Sequence, residues 1–212
     1  MTLHVPSCER VGEGGRRWPS SPDLVEILHG LPVPCTKALR CLGEAGVTVA
    51  AMTEPEPLRA ARVAFRGTSH MFDFDPDGEP AFVALAHDLN GEPADLVAFR
   101  GGRIACHFGR AVALGQEQLP FGNTPPPIAI HRSPIGWLRD GRTGLVVIHP
   151  ARLADLLVEF GVSVVSEDGK HTGELRKLLA RPQPTIVRPS AIKQNNIAPL
   201  PQPASQEGIP RD

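Results

Sequence analysis

Two apolar stripes near the start of the chain predict a pair of short helices. The first runs over residues 21–30, where Ser21-Pro22-Asp23 supplies an N-cap, a helix-compatible proline and a first-turn acid, and Gly30 ends the helix. The second runs over residues 36–45. The apolar positions are Leu24, Ile27 and Leu28 in the first helix and Leu39 and Leu42 in the second. A pair of this kind is typical of a helical hairpin packed on a core.

Alternating and apolar runs then predict a set of strands in the middle of the chain. They cover residues 62–65, 71–74, 81–86, 95–99 and 104–107. The dipeptides between them, Asp77-Gly78, Asn90-Gly91 and Gly101-Gly102, are strong hairpin-turn signals. Turn signals at this regular spacing indicate an antiparallel meander.

From about residue 128 the pattern changes to strands that alternate with helices. Strands are predicted over residues 128–130, 144–149 and 162–165. Helices are predicted to begin at Ser133-Pro134, at Pro150 and at Thr172. This succession is compatible with a β-α-β unit. The predicted fold class is therefore α+β, with short helices before an antiparallel strand meander and a strand-helix-strand unit after it.

The two ends of the chain lack any periodicity. Residues 1–20 mix Gly, Arg, Ser and Pro, and residues 182–212 hold seven prolines among Gln, Asn and Ser. Such stretches bury too little apolar surface to offset the entropy that is lost on ordering. We therefore expect a flexible N-terminal segment over residues 1–20, a single α+β domain over residues 21–181 and a flexible Pro-rich tail over residues 182–212.

The amino-acid composition limits the classes of protein and the cellular compartments that fit this chain. The chain has 212 residues, of which 41% are hydrophobic and 21% are charged, as in an ordinary soluble protein. No apolar run approaches the roughly 20 residues that cross a bilayer, and the start of the chain does not have the pattern of a secretory signal. The 4 cysteines form no C-x-x-C pair. We predict a cytoplasmic protein with reduced cysteines and no membrane contact.

Charge is patterned along the chain, although the net charge is only −1. Residues 71–100 contain seven acids, so the solvent side of these hairpins is predicted to be acidic. Residues 101–143 reverse the sign, with five arginines against two acids. Opposite charge on the two segments favours packing between them or self-association, and the predicted partner is therefore a protein or a second copy of this chain.

Histidines at the ends of predicted strands are the candidate metal ligands. The set, with one neighbouring acid, is His87, Asp88, His107, His131 and His149. Neutral imidazoles and a carboxylate would suit zinc or a two-metal hydrolytic centre. No H-x-H, H-x-x-x-H or H-E-x-x-H spacing places two of them on one element. Separate histidines are therefore the default interpretation, and no cofactor is predicted.

A group of basic and aromatic residues after residue 130 is the candidate contact surface. Its members are Arg132, Trp137, Arg139 and Arg142. Arginines beside an aromatic ring suit a nucleic acid or an acidic partner. Trp137 also suits an anchor in the core of the protein.

Two distinctive phrases lie in the second half of the chain. They are Ile130-His131-Arg132-Ser133-Pro134-Ile135-Gly136-Trp137-Leu138-Arg139 and Ser166-Glu167-Asp168-Gly169-Lys170-His171-Thr172-Gly173-Glu174-Leu175-Arg176. With the acidic hairpin that ends at residues 95–99, they resemble a group of prophage or mobile-element proteins of unknown function. The resemblance covers roughly half of the chain, mainly residues 128–182. It implies a bacterial or phage setting among replication and recombination genes, and it implies no activity and no residue role.

Function is predicted by exclusion, because no motif brings two catalytic groups together. The first hypothesis is a non-enzymatic accessory or interaction protein of a phage-like or mobile element. The second is a metal-dependent hydrolase or nuclease that uses some of the candidate metal ligands. The third is a nucleic-acid-binding protein that uses the arginines after residue 100, with an affinity that falls steeply with salt. Enzymatic activity is left open at this point, and the non-enzymatic hypothesis is preferred.

Overall fold

A computed structural model describes residues 21–67, 69–119 and 126–180 of this chain. The predictions of a flexible segment over residues 1–20 and of a flexible Pro-rich tail over residues 182–212 lie outside the described residues. Every element below belongs to the part of the chain that was predicted to form the α+β domain.

Three helices precede the first strand. They are α1, Ser21–Gly30, α2, Thr36–Glu44, and α3, Val49–Thr53. The first two confirm the predicted pair, and Leu24 and Leu28 of α1 are fully buried. The third was not predicted. It is only one turn long, and it begins where the Thr48 side chain accepts a hydrogen bond from the Ala51 N–H at 3.2 Å.

The middle of the chain forms a five-stranded antiparallel sheet, as predicted. Its strands are β1, Arg59–Phe65, β2, Phe72–Phe74, β3, Glu79–His87, β4, Pro93–Arg100, and β5, Arg103–Cys106. Their order across the sheet is β2-β1-β3-β4-β5. The Asn90-Gly91 and Gly101-Gly102 turns join strands that are direct neighbours.

The Asp77-Gly78 turn departs from a simple meander. It links β2 to β3, yet these two strands pair with opposite sides of β1, so that Val63 faces Phe74 on one side and Glu79 on the other. The chain therefore crosses closely over β1 at this point. A Cβ atom on Gly78 would lie 2.4 Å from the Val63 carbonyl oxygen, so the crossing requires glycine.

The last third of the chain forms a second, four-stranded sheet with helices between its strands. The strands are β6, Ala113–Leu114, β7, Ile128–His131, β8, Leu145–Val147, and β9, Val164–Ser166. The helices are α4, Pro134–Arg139, α5, Pro150–Glu159, and α6, Gly169–Leu178. The strand order is β6-β8-β7-β9, and β7 is parallel to both β8 and β9. This arrangement confirms the predicted strand-helix-strand unit.

One hydrophobic cluster joins the two sheets. It contains Val97 and Phe99 from β4 together with Leu114, Trp137 and Ile148 from the second sheet and its connections. The two sheets therefore share a core, and the residues at their junction are held from both sides.

Candidate functional site

A thiol and an imidazole from distant parts of the chain lie in contact at the end of β5. Cys106 is the last residue of β5, and His149 is the residue before α5. The Cys106 Sγ atom lies 3.2 Å from His149 Nε2 and 3.3 Å from the carbonyl oxygen of His70. A cysteine and a histidine at this distance resemble the nucleophile and base of thiol enzymes.

The electrostatics of this pair do not suit a nucleophile. Burial, together with the negative charge of Asp95, raises the pKa of the Cys106 thiol to about 12. Burial lowers the pKa of His149, and the nearby charges of Arg152 and His70 lower it further. The Cys106 side chain is fully buried. Since the thiolate is the reactive form, a buried thiol that stays protonated at neutral pH serves packing.

Asp95 is a buried carboxylate next to this pair. The expectation that the acids of residues 71–100 all face solvent is therefore wrong for Asp95. Its side chain is fully buried. The backbone N–H groups that donate to its two oxygens are those of Leu96, His107, Phe108, Arg110 and Ala111. A buried charge is tolerated when hydrogen bonds replace its water. Asp95 therefore fixes the path of the chain as it leaves β5 towards the second sheet.

Two of the candidate metal ligands serve local structure in the first sheet. The His107 ring packs against Phe72, and its Nδ1 donates to the Phe72 carbonyl oxygen at 3.1 Å. Asp88 Oδ1 accepts hydrogen bonds from the backbone N–H groups of Asn90 and Glu92 at 2.8 and 3.0 Å. Asp88 thus shapes the turn between β3 and β4.

The other candidate histidines have partners of their own. His87 Nε2 lies 3.3 Å from Glu56 Oε1. His131 is buried, its Nε2 donates to the Thr143 carbonyl oxygen at 2.8 Å, and its Nδ1 lies 3.6 Å from Glu167 Oε1. Among the residues that the structure describes, no three His, Cys, Asp or Glu side chains form a group that could hold a metal ion.

Arg132 is surrounded by acids from the β9–α6 connection and from α6. It donates to both carboxylate oxygens of Asp168 at 2.8 Å and to Glu174 at 3.2 Å, and Glu167 lies 3.6 Å away. The hydrogen bonds from Arg132 and from the His171 N–H hold the pKa of Asp168 well below its usual range. The charge of Arg132 is balanced within the protein, and this does not suit a contact to phosphate.

The remaining candidate contact residues do not form a surface patch together. Trp137 is only 3% exposed. Arg142 is also buried, its Nε donates to the Ala51 carbonyl oxygen at 2.8 Å, and its Nη2 donates to the Glu56 carbonyl oxygen at 2.9 Å. Arg139 is exposed. Trp137 and Arg142 therefore tie α4 and the turn after it to the segment before β1.

A small cavity lies beside the Trp137 indole, and we call it the Trp137 cavity. Its volume is about 180 Å³. The residues that line it include Leu85, His87, Gly115, Glu117, Trp137 and Arg142. Burial lowers the pKa of Arg142, whereas the negative charges of Glu56 and Glu117 act in the opposite direction. The cavity thus combines an apolar wall with charged groups of both signs.

Two residues that line the Trp137 cavity each carry a fully buried polar atom that has no hydrogen-bond partner among the described residues. These atoms are Trp137 Nε1 and Glu117 Oε2. An unsatisfied buried polar group costs about 1–3 kcal/mol, so such groups are rare in native proteins. No sequence pattern singles out Glu117, because it is a single acid between Gln116 and Gln118.

The outer strand of the second sheet, β9, exposes two neighbouring apolar side chains. β9 pairs with β7 on one side, and no described strand pairs with its other side. Val164 is 37% exposed and Val165 is 51% exposed. Edge strands of this kind are templates for pairing with another chain.

The described helices and the comparisons with known proteins identify no further site. None of the helices in the described part of the chain has the length and apolar character that a bilayer crossing requires. No family model, curated protein or solved structure matches this chain. The resemblance to prophage or mobile-element proteins therefore stays a prediction.

Proposed function

We propose that this chain is a non-enzymatic interaction protein that pairs with a second copy of itself through the outer edge of β9. The observation that carries the proposal is the exposure of Val164 and Val165 on a strand whose outer side is unpaired among the described residues. Two identical edges of this kind form one continuous sheet across a two-fold axis.

The backbone of β9 presents hydrogen-bonding groups to its outer side. The Ser163 carbonyl oxygen accepts a hydrogen bond from the Ile128 N–H at 2.9 Å, so Ser163 faces β7. Because backbone groups alternate in direction along a strand, Val164 and Ser166 turn their N–H and C=O groups away from β7. These groups are available to an added antiparallel strand.

A two-fold axis at Val165 makes this edge self-complementary. Val164 of one copy then pairs with Ser166 of the other, and the two Val165 side chains come into direct contact across the axis. In this register Glu167 lies opposite Ser163 of the other copy, and Asp168 lies opposite Val162. No acid therefore faces an acid at the interface.

The non-enzymatic part of the proposal is supported by the state of the reactive groups. The Cys106 thiol is buried with a pKa of about 12, and the candidate histidines are engaged separately. A cytoplasmic location belongs to the same proposal. The free thiols of Cys35, Cys41 and Cys106 support it, because a reducing compartment keeps thiols unpaired.

Sedimentation equilibrium of the full chain over a wide concentration range tests the pairing. Three-residue edges bury less than the about 1,000 Å² of a stable interface, so we expect a reversible dimer with a dissociation constant on the order of 10 micromolar. The mass should rise with concentration from 22.7 kDa towards twice that value. The Val164→Pro variant removes an outward N–H without touching the β7 pairing, and it should stay monomeric.

A matched control separates edge pairing from general surface hydrophobicity. Val158 on α5 is 67% exposed, so Val158→Lys removes an exposed apolar side chain of the same type that is not on the edge. We expect Val158→Lys to dimerise like the wild type and Val165→Lys to remain monomeric. A wild-type mass of 22.7 kDa at all concentrations, or equal dimerisation of the wild type and Val164→Pro, would refute the proposal.

A further inference from the structure

The two outer edges of the first sheet meet at the end of β5. β2 and β5 are the outer strands, and a bridge joins Met71, the residue before β2, to Cys106, the last residue of β5. The Cys106 N–H also donates to the His70 carbonyl oxygen at 2.9 Å. Beyond this contact, β5 and residues from the β1–β2 connection form two walls of an open groove, which we call the β5 groove.

The β5 groove has an accessible apolar lining. Its volume is about 240 Å³. This lies between the about 150 Å³ of an engineered cavity that takes up benzene and the about 300 Å³ at which drug-sized pockets begin. Leu178 on its wall is 46% exposed, and Phe65, Met71, Ile104 and Val147 also keep part of their surface accessible. An aliphatic chain of about six carbon atoms therefore fits against side chains that it can reach.

The Arg103 guanidinium group is the charged part of the groove wall. Its Cζ atom lies 4.3 Å from the centroid of the Phe65 ring, and the Arg103 side chain is 52% exposed. Arg103 Nη1 donates to Glu79 Oε1 at 2.7 Å, and Arg100 lies 3.4 Å from the other oxygen of the same carboxylate. A guanidinium group has five N–H donors, so Arg103 keeps donors for a second carboxylate.

The backbone of β5 adds a donor beside Arg103. Cys106 turns its N–H away from β4 and towards His70. Backbone groups alternate in direction along a strand, so the Ile104 N–H points to the same side, towards the groove. No described backbone group accepts a hydrogen bond from it. Among the described residues on the groove wall, Arg103 and His70 are the ionisable ones, and none is an acid.

We propose that the β5 groove binds a small monocarboxylate with an aliphatic chain. The two carboxylate oxygens accept hydrogen bonds from the Arg103 guanidinium group and the Ile104 N–H, and the chain packs against Leu178 and Val147. Hydrogen bonds between a guanidinium group and a carboxylate are charge-assisted, which favours this head group over a neutral one. A cationic head group is disfavoured, because it would lie beside Arg103. This site goes beyond the proposed pairing through β9 and does not depend on it.

Hexanoate is the probe for this site, and the methyl group of Met71 is the reporter. The chain has 3 methionines, of which Met71 lies on the groove wall and Met52 packs against the core that joins the two sheets. In ¹³C-methyl NMR spectra at pH 7, hexanoate should shift the Met71 signal saturably and leave the Met52 signal in place. The spectrum of Met71→Leu assigns the signal. For a ligand of about eight non-hydrogen atoms in an open groove we expect a dissociation constant on the order of 1 millimolar.

Two further ligands separate the charge from the chain. Hexan-1-ol keeps the chain and lacks the carboxylate, whereas acetate keeps the carboxylate and lacks the chain. We expect each to bind about tenfold more weakly than hexanoate, because each makes only part of the contacts. A blocked apolar tripeptide without a carboxylate tests whether the groove instead takes an extended peptide as an added strand.

Arg103→Gln and Arg100→Gln are a matched pair of variants. Both arginines contact Glu79, but of the two it is Arg103 that lines the groove. Arg103→Gln should weaken hexanoate binding about tenfold, to the level of hexan-1-ol. Arg100→Gln should leave hexanoate binding within about twofold of the wild-type value. The dispersion of the amide spectrum confirms that each variant is folded.

Four results would overturn the proposal. They are a Met71 signal that does not respond to hexanoate, equal affinities for hexanoate and hexan-1-ol, equal hexanoate binding by the wild type and Arg103→Gln, and tighter binding of the blocked tripeptide than of hexanoate. Each is read in Val164→Pro protein as well, so a failure of this proposal is distinguishable from a failure of the pairing through β9.

Discussion

Replacing Asp95 by asparagine tests whether a buried carboxylate holds the chain between the two sheets. Asp95 Oδ1 accepts hydrogen bonds from three backbone N–H groups, and Oδ2 accepts from those of Arg110 and Ala111 at 2.7 and 3.3 Å. Asparagine keeps one oxygen and turns the other into an NH₂ donor. One of the two sets of N–H groups must then face a donor.

The expected loss of stability is set by the smaller of the two sets of N–H groups, because asparagine can keep its oxygen towards the larger set. If the asparagine oxygen stays towards the larger set, the N–H groups of Arg110 and Ala111 lose their acceptor. Each unsatisfied buried group costs about 1–3 kcal/mol, so Asp95→Asn should lower the free energy of unfolding by about 2–6 kcal/mol. We would measure this loss by guanidinium denaturation at pH 7, with the slope m unchanged.

Asp88→Asn is the matched control for this experiment. Asp88 also accepts two backbone hydrogen bonds, but both go to Oδ1, so asparagine can keep them. We expect its free energy of unfolding to lie within about 0.5 kcal/mol of the wild-type value. If the Asp95 and Asp88 variants had the same midpoint, the structural role assigned to Asp95 would be wrong.

Two further predictions follow from perturbed groups. Iodoacetamide should alkylate the exposed Cys35 and Cys41 in the folded protein and spare Cys106, because the Cys106 thiol is buried and has a pKa of about 12. Peptide mass spectrometry measures the alkylation rate at each cysteine. Equal rates at Cys106 and Cys35 would contradict this prediction. Arg132→Gln removes the partner that depresses the pKa of Asp168. A carboxyl group whose pKa is lower in the folded state than in the unfolded state stabilises the fold at pH values above the unfolded-state pKa. This stabilisation is lost as the pH falls through the folded-state pKa. The urea midpoint of the wild type should therefore exceed that of Arg132→Gln at pH 7, and the gap should close below the ordinary aspartate range; a gap that is independent of pH would contradict this reasoning.

Much of the fold was predictable because its signals act over a few residues. Ser133 was assigned to the start of a helix, and its side chain indeed accepts the Gly136 N–H at 3.2 Å. The Gly101-Gly102 dipeptide was assigned to a hairpin, and it joins two neighbouring strands. Such signals need no knowledge of the rest of the chain. β6 has two residues and α3 has five, and elements this short are below the length at which periodicity is visible.

The candidate site was less predictable, because it depends on contacts between distant residues. Asp95 was one of seven acids in an acidic segment, and nothing local shows that the N–H groups of residues 107–111 fold back onto it. Cys106 and His149 are 43 positions apart in the sequence. Likewise, no sequence pattern links Glu117 to Trp137, although both line one cavity in the folded chain.

The core that joins the two sheets makes the described part of the chain a single cooperative unit. Val97 and Phe99 cover the same apolar surface that Leu114, Trp137 and Ile148 cover from the other side. A chain severed between residues 119 and 126 would leave each fragment with a bare hydrophobic face, and such fragments associate or aggregate. Unfolding of one sheet exposes the apolar face of the other, so a substitution that destabilises one sheet should destabilise both.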